Sequence, residues 1–335
     1  MQFTSLKWMC VVLTSSLVGC SQITPLPEHQ VALSQTYPLQ TQGNYQVLSW
    51  DNYVNDQQLI NLVDLALVSN QDLKIASLRI HEAQAAYGIQ RAELFPNIGG
   101  NAGMERNHVP ADLSYVGREM TTSQYSVGLG MNQWELDLWG RIRSLNEAAL
   151  QQFFAVESNV QAVRNSLIQQ TVLSYLTLSE LDKRIYFAQR SVQNYEKSVR
   201  LFKRRYEVGA SSKVEYMQAK TMLSNGQALV TQLEKSRALT ANYLVQLVGQ
   251  PTSLHQTDLD QVTFKTGVLH TGLPSDLLLN RADIRASEAM LKSKHANINA
   301  ARAAFFPRIT LTGSLGTASA DLDGLFKSGS SVWSF

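Results

Sequence analysis

From Asp72 to Ile98 the chain reads DLKIASLRIHEAQAAYGIQRAELFPNI, and from Asp283 to Ile309 it reads DIRASEAMLKSKHANINAARAAFFPRI. The two stretches align without a gap at an offset of 211 residues. Asp72 falls on Asp283, Arg91 on Arg302, Ala92 on Ala303, and Phe95-Pro96-x-Ile98 on Phe306-Pro307-x-Ile309. Each copy is a helical pattern closed by Phe-Pro and followed by alternating residues. A repeat of this length predicts two similar halves, not a stack of short solenoid units.

Working outward, Leu59, Leu62, Val63, Ala66 and Leu67 are spaced for a short amphipathic helix over 56–69. Asn70 breaks it, and a second helix is expected over 72–94. Pro96 stops that helix by driving Phe95 out of the α conformation. The period then changes to two. Ile98, Gly100, Ala102 and Met104 alternate with Gly99, Asn101, Gly103 and Glu105. A polar loop is expected over 107–122, after which Tyr125, Val127, Leu129 and Met131 alternate with Gln124, Ser126, Gly128 and Gly130. At Asn132-Gln133 the phase flips, so that Trp134, Leu136 and Leu138 become the apolar set; this predicts a bulge or an exit from the sheet. In the second copy Ile309, Leu311, Gly313 and Leu315 repeat the strand. Strands of this kind suit either a tilted crossing of a bilayer or a half-buried sheet in a soluble domain.

Between Pro110 and Pro251 there is no proline, and from Arg141 to Val248 the glycines are Gly209 and Gly226. A single helix over 144–207 follows, about 95 Å long at 1.5 Å per residue. Leu178, Leu181, Ile185, Ala188, Val192, Tyr195, Val199, Phe202 and Tyr206 are spaced alternately by three and four, a coiled-coil seam. Ala149, Phe153, Val156, Val160, Val163 and Leu167 form an earlier series out of phase with it, as at a stutter. Lys213 to Val248 runs back, with small residues such as Ala219 allowing close approach. The middle of the chain is therefore a helical hairpin over 144–248 with its tip at Val208 to Ser212.

The amino terminus carries Lys7, a short apolar run from Trp8 to Val18, and then Leu17-Val18-Gly19-Cys20. The run is too short to span a bilayer as a helix, so residues 1–19 read as a cleaved signal peptide. Cys20 in this setting reads as a lipidated first residue of the mature protein; the alternative is an ordinary secretory signal with a coincidental cysteine. The chain has two cysteines, Cys10 and Cys20, and no disulfide is expected. Residues 20–55 read as a polar tether.

Loss of residues 1–19 takes the formal charge from +2 to +1, no electrostatic footprint for nucleic acid. After Cys20 no apolar run suits a transmembrane helix, so a membrane-spanning form needs strands in a closed barrel. His29, His81, His108, His255, His270 and His295 show no metal-ligand spacing. Gly99-Gly100-x-x-Gly103 lacks both the Lys-Ser/Thr and the following helix of a phosphate loop. Neither a catalytic site nor a cofactor is expected.

Several motifs together resemble the TolC-like outer-membrane factors of Gram-negative efflux pumps, in their lipoprotein branch. They are Leu17-Val-Gly-Cys20, Arg91-Ala-Glu-Leu-Phe-Pro96, Trp134-Glu-Leu-Asp-Leu-Trp-Gly-Arg141, Arg205-Tyr-Glu-Val-Gly-Ala-Ser-Ser212, Leu273-Pro-Ser-Asp-Leu-Leu278 and Ala301-Arg-Ala-Ala-Phe-Phe-Pro307. One departure lies at Asn280-Arg-Ala-Asp-Ile284, where that family usually has a second Arg and a Pro. Proline is tolerated in the first turn of a helix, so Ala282 is expected to matter little.

The resemblance implies a mainly α fold with membrane β-strands, and two structural repeats per chain, the second incomplete. It implies a homotrimer whose twelve-stranded transmembrane β-barrel continues as an α-helical barrel. A periplasmic adaptor protein would meet the tip at Val208, Gly209, Ala210 and Ser211 and link it to an inner-membrane transporter that exports drugs. Phe95, Pro96, Phe306 and Pro307 would be the helix-to-barrel joints, and Cys20 would hold outer-membrane lipid. The first repeat would cover 56–265, with its strand pair over 96–140, and the second 266–335. Gly209 is equally expected as a plain left-handed cap. Trp134, Trp139 and Tyr125 are expected either as an interfacial girdle or as packing at the joint. A periplasmic adaptor-type lipoprotein is the alternative, although it would lack the 211-residue repeat. By that offset, everything matching positions beyond about Tyr125 is absent from the second copy, so the chain is expected to be a truncated form, unable to close a channel.

Overall fold

A computed structural model describes residues 24–26, 50–253 and 275–335. The expected signal peptide, Cys20, most of the expected tether, and the junction of the two expected repeats (254–274) lie outside the described residues. The chain divides into two compact units, one of residues 31–80 and 157–285, the other of 1–30, 81–156 and 286–335.

The first of these units is a helical core. Helix α1 (Gln57–Ser69) begins at Asp56, whose Oδ1 accepts the amides of Gln58 and Leu59 at 2.8 and 3.3 Å. The other carboxylate oxygen accepts the Tyr175 hydroxyl at 2.6 Å. Leu59, Leu62, Val63 and Ala66 form its buried face, packed against Leu167, Tyr175 and Leu178 of α3 (Arg141–Glu207) and Leu244, Leu247 and Val248 of α4 (Lys213–Val248). Each large side chain buried here contributes about 1.5–3 kcal/mol. Asn70 ends α1 and starts α2 (Gln71–Ala92): its Oδ1 accepts the Leu73 amide at 2.8 Å, and its Nδ2 donates to the Leu247 carbonyl at 2.8 Å. A buried amide is tolerated because both ends are bonded. Thr171 and Ser179 enter the α3 seam in the same way, each hydroxyl donating to the carbonyl four residues back.

Along the hairpin, Leu178, Leu181 and Ile185 are buried as the seam predicts, with Leu233 opposite. Beyond Ala188 the seam is half-buried, and Tyr206 is exposed but stacked on Tyr216 with ring centroids 6.1 Å apart. In the earlier series Val160 and Leu167 are buried while Val163 faces out. Buried Ala148 and Ala155 take up part of that face, so the out-of-phase series is only partly a seam.

Helix α5 (Ala282–Ala303), which enters the second unit at Ala286, has the same 22 residues' length as α2 and begins and ends 211 positions later. Ala282 is its first residue, where proline would fit. A four-stranded antiparallel sheet runs in the order β1 (Ile98–Val109), β2 (Met120–Glu135), β3 (Thr310–Ser319) and β4 (Ser331–Ser334). The expected 107–122 loop shrinks to 110–119, because Arg106, Asn107 and His108 pair with Ser123, Thr122 and Thr121. Backbone pairing needs no apolar face, so polar residues extend the ladder.

Register sorts the side chains. Ile98, Ala102 and Met104 pair with Met131, Val127 and Tyr125, and Leu129 pairs with both Gly100 and Leu315, giving one apolar face. Asn101, Gly103 and Glu105 pair with Gly128, Ser126 and Gln124 on the other. Between Met131↔Gly313 and Trp134↔Leu311 strand β2 carries one residue more than β3, and Gln133 takes φ 50. That extra residue keeps Trp134 on the face of Leu311 and Leu315. Gly128 and Gly316 pair directly; a Cβ on Gly316 would stand 2.4 Å from the Val127 carbonyl oxygen. Strand β1 is exposed on both faces from Ile98 to His108.

Candidate functional site

At the hairpin tip, α3 ends because its last carbonyls are taken by the turn. The Gly209 amide donates to the Tyr206 carbonyl at 3.1 Å and the Ala210 amide to that of Arg205 at 2.7 Å, with Gly209 at φ +75. This six-to-one and five-to-two pattern is a Schellman cap, and it needs the left-handed residue. Arg205 reaches over the turn, its Nη2 donating to the Ala210 carbonyl at 3.5 Å.

Two residues on, Ser212 starts α4 with a capping box. Its hydroxyl accepts the Glu215 amide at 3.2 Å, and its own amide donates to Glu215 Oε2 at 2.8 Å. The Ser211 hydroxyl donates to the same oxygen at 2.6 Å. These bonds, Ser211's first, hold the Glu215 carboxyl below its ordinary value. Helix stop and helix start are thus joined by Val208 to Ser212, leaving the tip little freedom. Val208 is 76% and Val214 64% exposed, and Lys213, Val214, Met217, Gln218, Thr221 and Met222 line a shallow, mainly apolar hollow of about 680 Å³. Lys203, Arg204 and Arg205 are exposed, Lys203 lying 3.9 Å from Glu207.

At the joints, α2 stops at Ala92, earlier than Leu94, because the amides of Glu93, Leu94 and Phe95 turn back to the third carbonyl behind them. In the second joint the amides of Phe305 and Phe306 make the same bonds to Arg302 and Ala303. The two Phe-Pro pairs differ in surroundings. Phe306 stacks on Trp139, centroids 4.9 Å apart, and the indole Nε1 donates to the Pro307 carbonyl at 2.9 Å. Phe95 is 64% exposed.

Trp139 is therefore packing at the joint. Tyr125 and Trp134 share a face but stand nine positions apart on β2, about 30 Å at 3.3 Å per residue, so the three make no single belt. Helix α3 starts at Arg141, ahead of the expected 144, because the Asp137 carboxylate accepts the amides of Ile142 at 3.0 Å and Arg143 at 2.8 Å. Glu135 clamps Arg141 with two bonds of 2.9 and 2.6 Å and raises the guanidinium above its ordinary value. The Glu-x-Asp-x-Trp-Gly-Arg string held this network, but its spacing matches no helix or strand period.

The described residues contain no group of three His, Cys, Asp or Glu side chains placed to hold a metal, and no helix long and apolar enough to cross a membrane.

The family model described as outer membrane efflux protein matches residues 62–250 and 273–335. The chain is 37% identical to the solvent efflux pump outer membrane protein SrpC of Pseudomonas putida, over all of this chain and 73% of that one. Among solved structures it superposes on a membrane protein from Pseudomonas aeruginosa with a TM-score of 0.84 at 35% identity, covering 94% of this chain and 72% of that one. It superposes on the open state of the Neisseria gonorrhoeae outer membrane channel MtrE with a TM-score of 0.80, also at 35% identity, covering 94% and 71%.

Proposed function

This chain belongs to the outer membrane efflux protein family, and from that premise we propose that it is the outer-membrane channel subunit of a tripartite efflux pump, passing drugs or other small molecules out of the cell. One observation carries the mechanism: β1 and β4 each pair on one side only among the described residues. A sheet can sit in lipid only when such edges are closed, since each unpaired backbone group there costs several kcal/mol. In the full-length subunit, edge-to-edge pairing of three copies closes the ring, with Leu129, Leu315 and their row toward lipid and the Asn101, Gly128 and Ser126 row toward water. The chain's repeat structure supports this division, with strands leaving helices at Phe95-Pro96 and Phe306-Pro307. The family assignment displaces the adaptor-type alternative.

The tip at Val208, Gly209, Ala210 and Ser211 is the surface offered to a periplasmic adaptor, which couples the channel to an inner-membrane transporter. The support is its double cap and exposed valines. Cys20 carries the lipid, supported by the Leu-Val-Gly-Cys string. The chemistry is passive: no step is catalysed, and substrate moves down a path the transporter energises.

Deleting the coding gene in a strain with its adaptor and transporter intact should raise accumulation of a fluorescent pump substrate severalfold, with complementation restoring export. Unchanged accumulation overturns the reading. Intact mass of the mature protein tests Cys20 separately: acyl chains on residue 20 are expected, and an unmodified thiol or an upstream amino terminus refutes lipidation.

A further inference from the structure

Thr24, four residues past Cys20, lies against α5. Its carbonyl oxygen accepts from Nε2 of His295 at 2.8 Å and from Nδ2 of Asn299 at 3.1 Å. Its hydroxyl donates to Oδ1 of Asn299 at 2.9 Å and accepts from Nη1 of Arg302 at 2.9 Å. A carbonyl cannot donate, so the contact assigns the His295 proton to Nε2. His295, Asn299 and Arg302 are four and three residues apart, hence on one face of the helix. Asn299 is 5% exposed, and both ends of its amide are engaged by the same residue. Two bonds read the backbone and two read a hydroxyl, so threonine or serine fits and valine does not.

We propose that these three side chains form a docking site for the segment following Cys20, which holds the acylated terminus beside the joint of α5 and β3. The proposal rests on lipidation of Cys20. Four residues reach at most about 14 Å, and Asn299 lies about 6 Å along the axis from the end of α5. A free tether over 20–55 would wander by about 33 Å, taking 5–6 Å times the square root of its length. The clasp at Thr24 replaces that range with one place, and the acyl chains enter the bilayer next to the barrel's own wall.

Two cysteines test it in the chain expressed in its native outer membrane. Thr24→Cys with Asn299→Cys should form a disulfide under mild oxidant, read as the loss of two hydrogens by intact mass, with the acyl adduct still on Cys20. Thr24→Cys with Ala301→Cys, about 200° round the helix from Asn299, should stay reduced. Asn299→Ala with Arg302→Ala should raise maleimide labelling of a lone Thr24→Cys at least tenfold. A reduced Asn299 pair, equal crosslinking at Ala301, or labelling unchanged by the double alanine variant overturns the docking site. A formed crosslink with a bare Cys20 overturns the anchoring role through failure of the lipidation reading, while the contact itself stands.

Discussion

Replacing Gly209 isolates one physical cost. Nothing lies within 4 Å of where its Cβ would stand, so a larger residue meets no neighbour and pays in torsion alone at φ +75. Asparagine visits the left-handed region and should cost a few tenths of a kcal/mol; alanine should cost about 1–2 kcal/mol. Valine, β-branched, is a true outlier there and should cost about 2 kcal/mol or more. The two cap bonds from Gly209 and Ala210 are what the strained variants give up. The hairpin's core at Leu181, Ile185 and Leu233 lies elsewhere on the hairpin, so the protein should still fold. Docking affinity falls by the fraction of tips left in the native turn, at most about thirtyfold for about 2 kcal/mol. The assay, in a full-length background, is substrate resistance in a strain lacking its own channel gene, with outer-membrane abundance measured by immunoblot. Resistance should fall in the order glycine, asparagine, alanine, valine at nearly constant abundance. Full resistance with valine, or asparagine as damaging as valine, refutes the reasoning.

Gly316→Val should wedge β2 from β3 by driving a side chain into the Val127 carbonyl; overpacking costs about 1–3 kcal/mol, read as a lower dissociation temperature on heated gels, and an unchanged temperature counts against the close pairing. Arg237→Met should leave the Asp182 carboxylate buried and unpaired, since that side chain is 5% exposed and bonded to Arg237 through both oxygens; the expected loss is about 3–5 kcal/mol, recovered when Asp182→Leu is added, and a melt showing no recovery contradicts it. Because Glu215's folded pKa is depressed, its contribution to the α4 cap is present above the unfolded carboxylate range and lost as pH falls through the folded value. Protection of the Ser212 amide from exchange, taken relative to its intrinsic rate at each pH, should therefore fall on acidification, and Ser211→Ala should move that onset to higher pH; an onset unmoved by Ser211→Ala excludes the hydroxyl as the cause.

The elements set by local pattern were legible. The Phe-Pro repeat located α2 and α5, and α4 occupies the expected Lys213–Val248 because Ser212 and Gly249 mark its ends. The Asn132-Gln133 bulge followed from counting alone. What escaped depends on residues far apart or on backbone groups without a side-chain signature. Nothing in the composition shows that Thr24 meets Asn299 across 275 positions, or that Asp182 faces Arg237. The polar ends of β1 and β2 extend by backbone pairing, which hydrophobic alternation does not register. At the tip the sequence located the turn, and the joint cap of Ser211, Ser212 and Glu215 emerged with the atoms.

The extra residue at Gln133 makes the sheet behave like a reading frame of two letters, water and lipid. Substitutions change a letter, and most such changes are local. Deleting Ser126 would shift the frame for every position of β2 from there to the bulge: Val127, Leu129 and Met131 would turn toward water, and Gly128 and Gly130 toward hydrocarbon. In these strands a one-residue indel is thus a more severe class of change than almost any substitution, and its severity grows with distance from the strand's end.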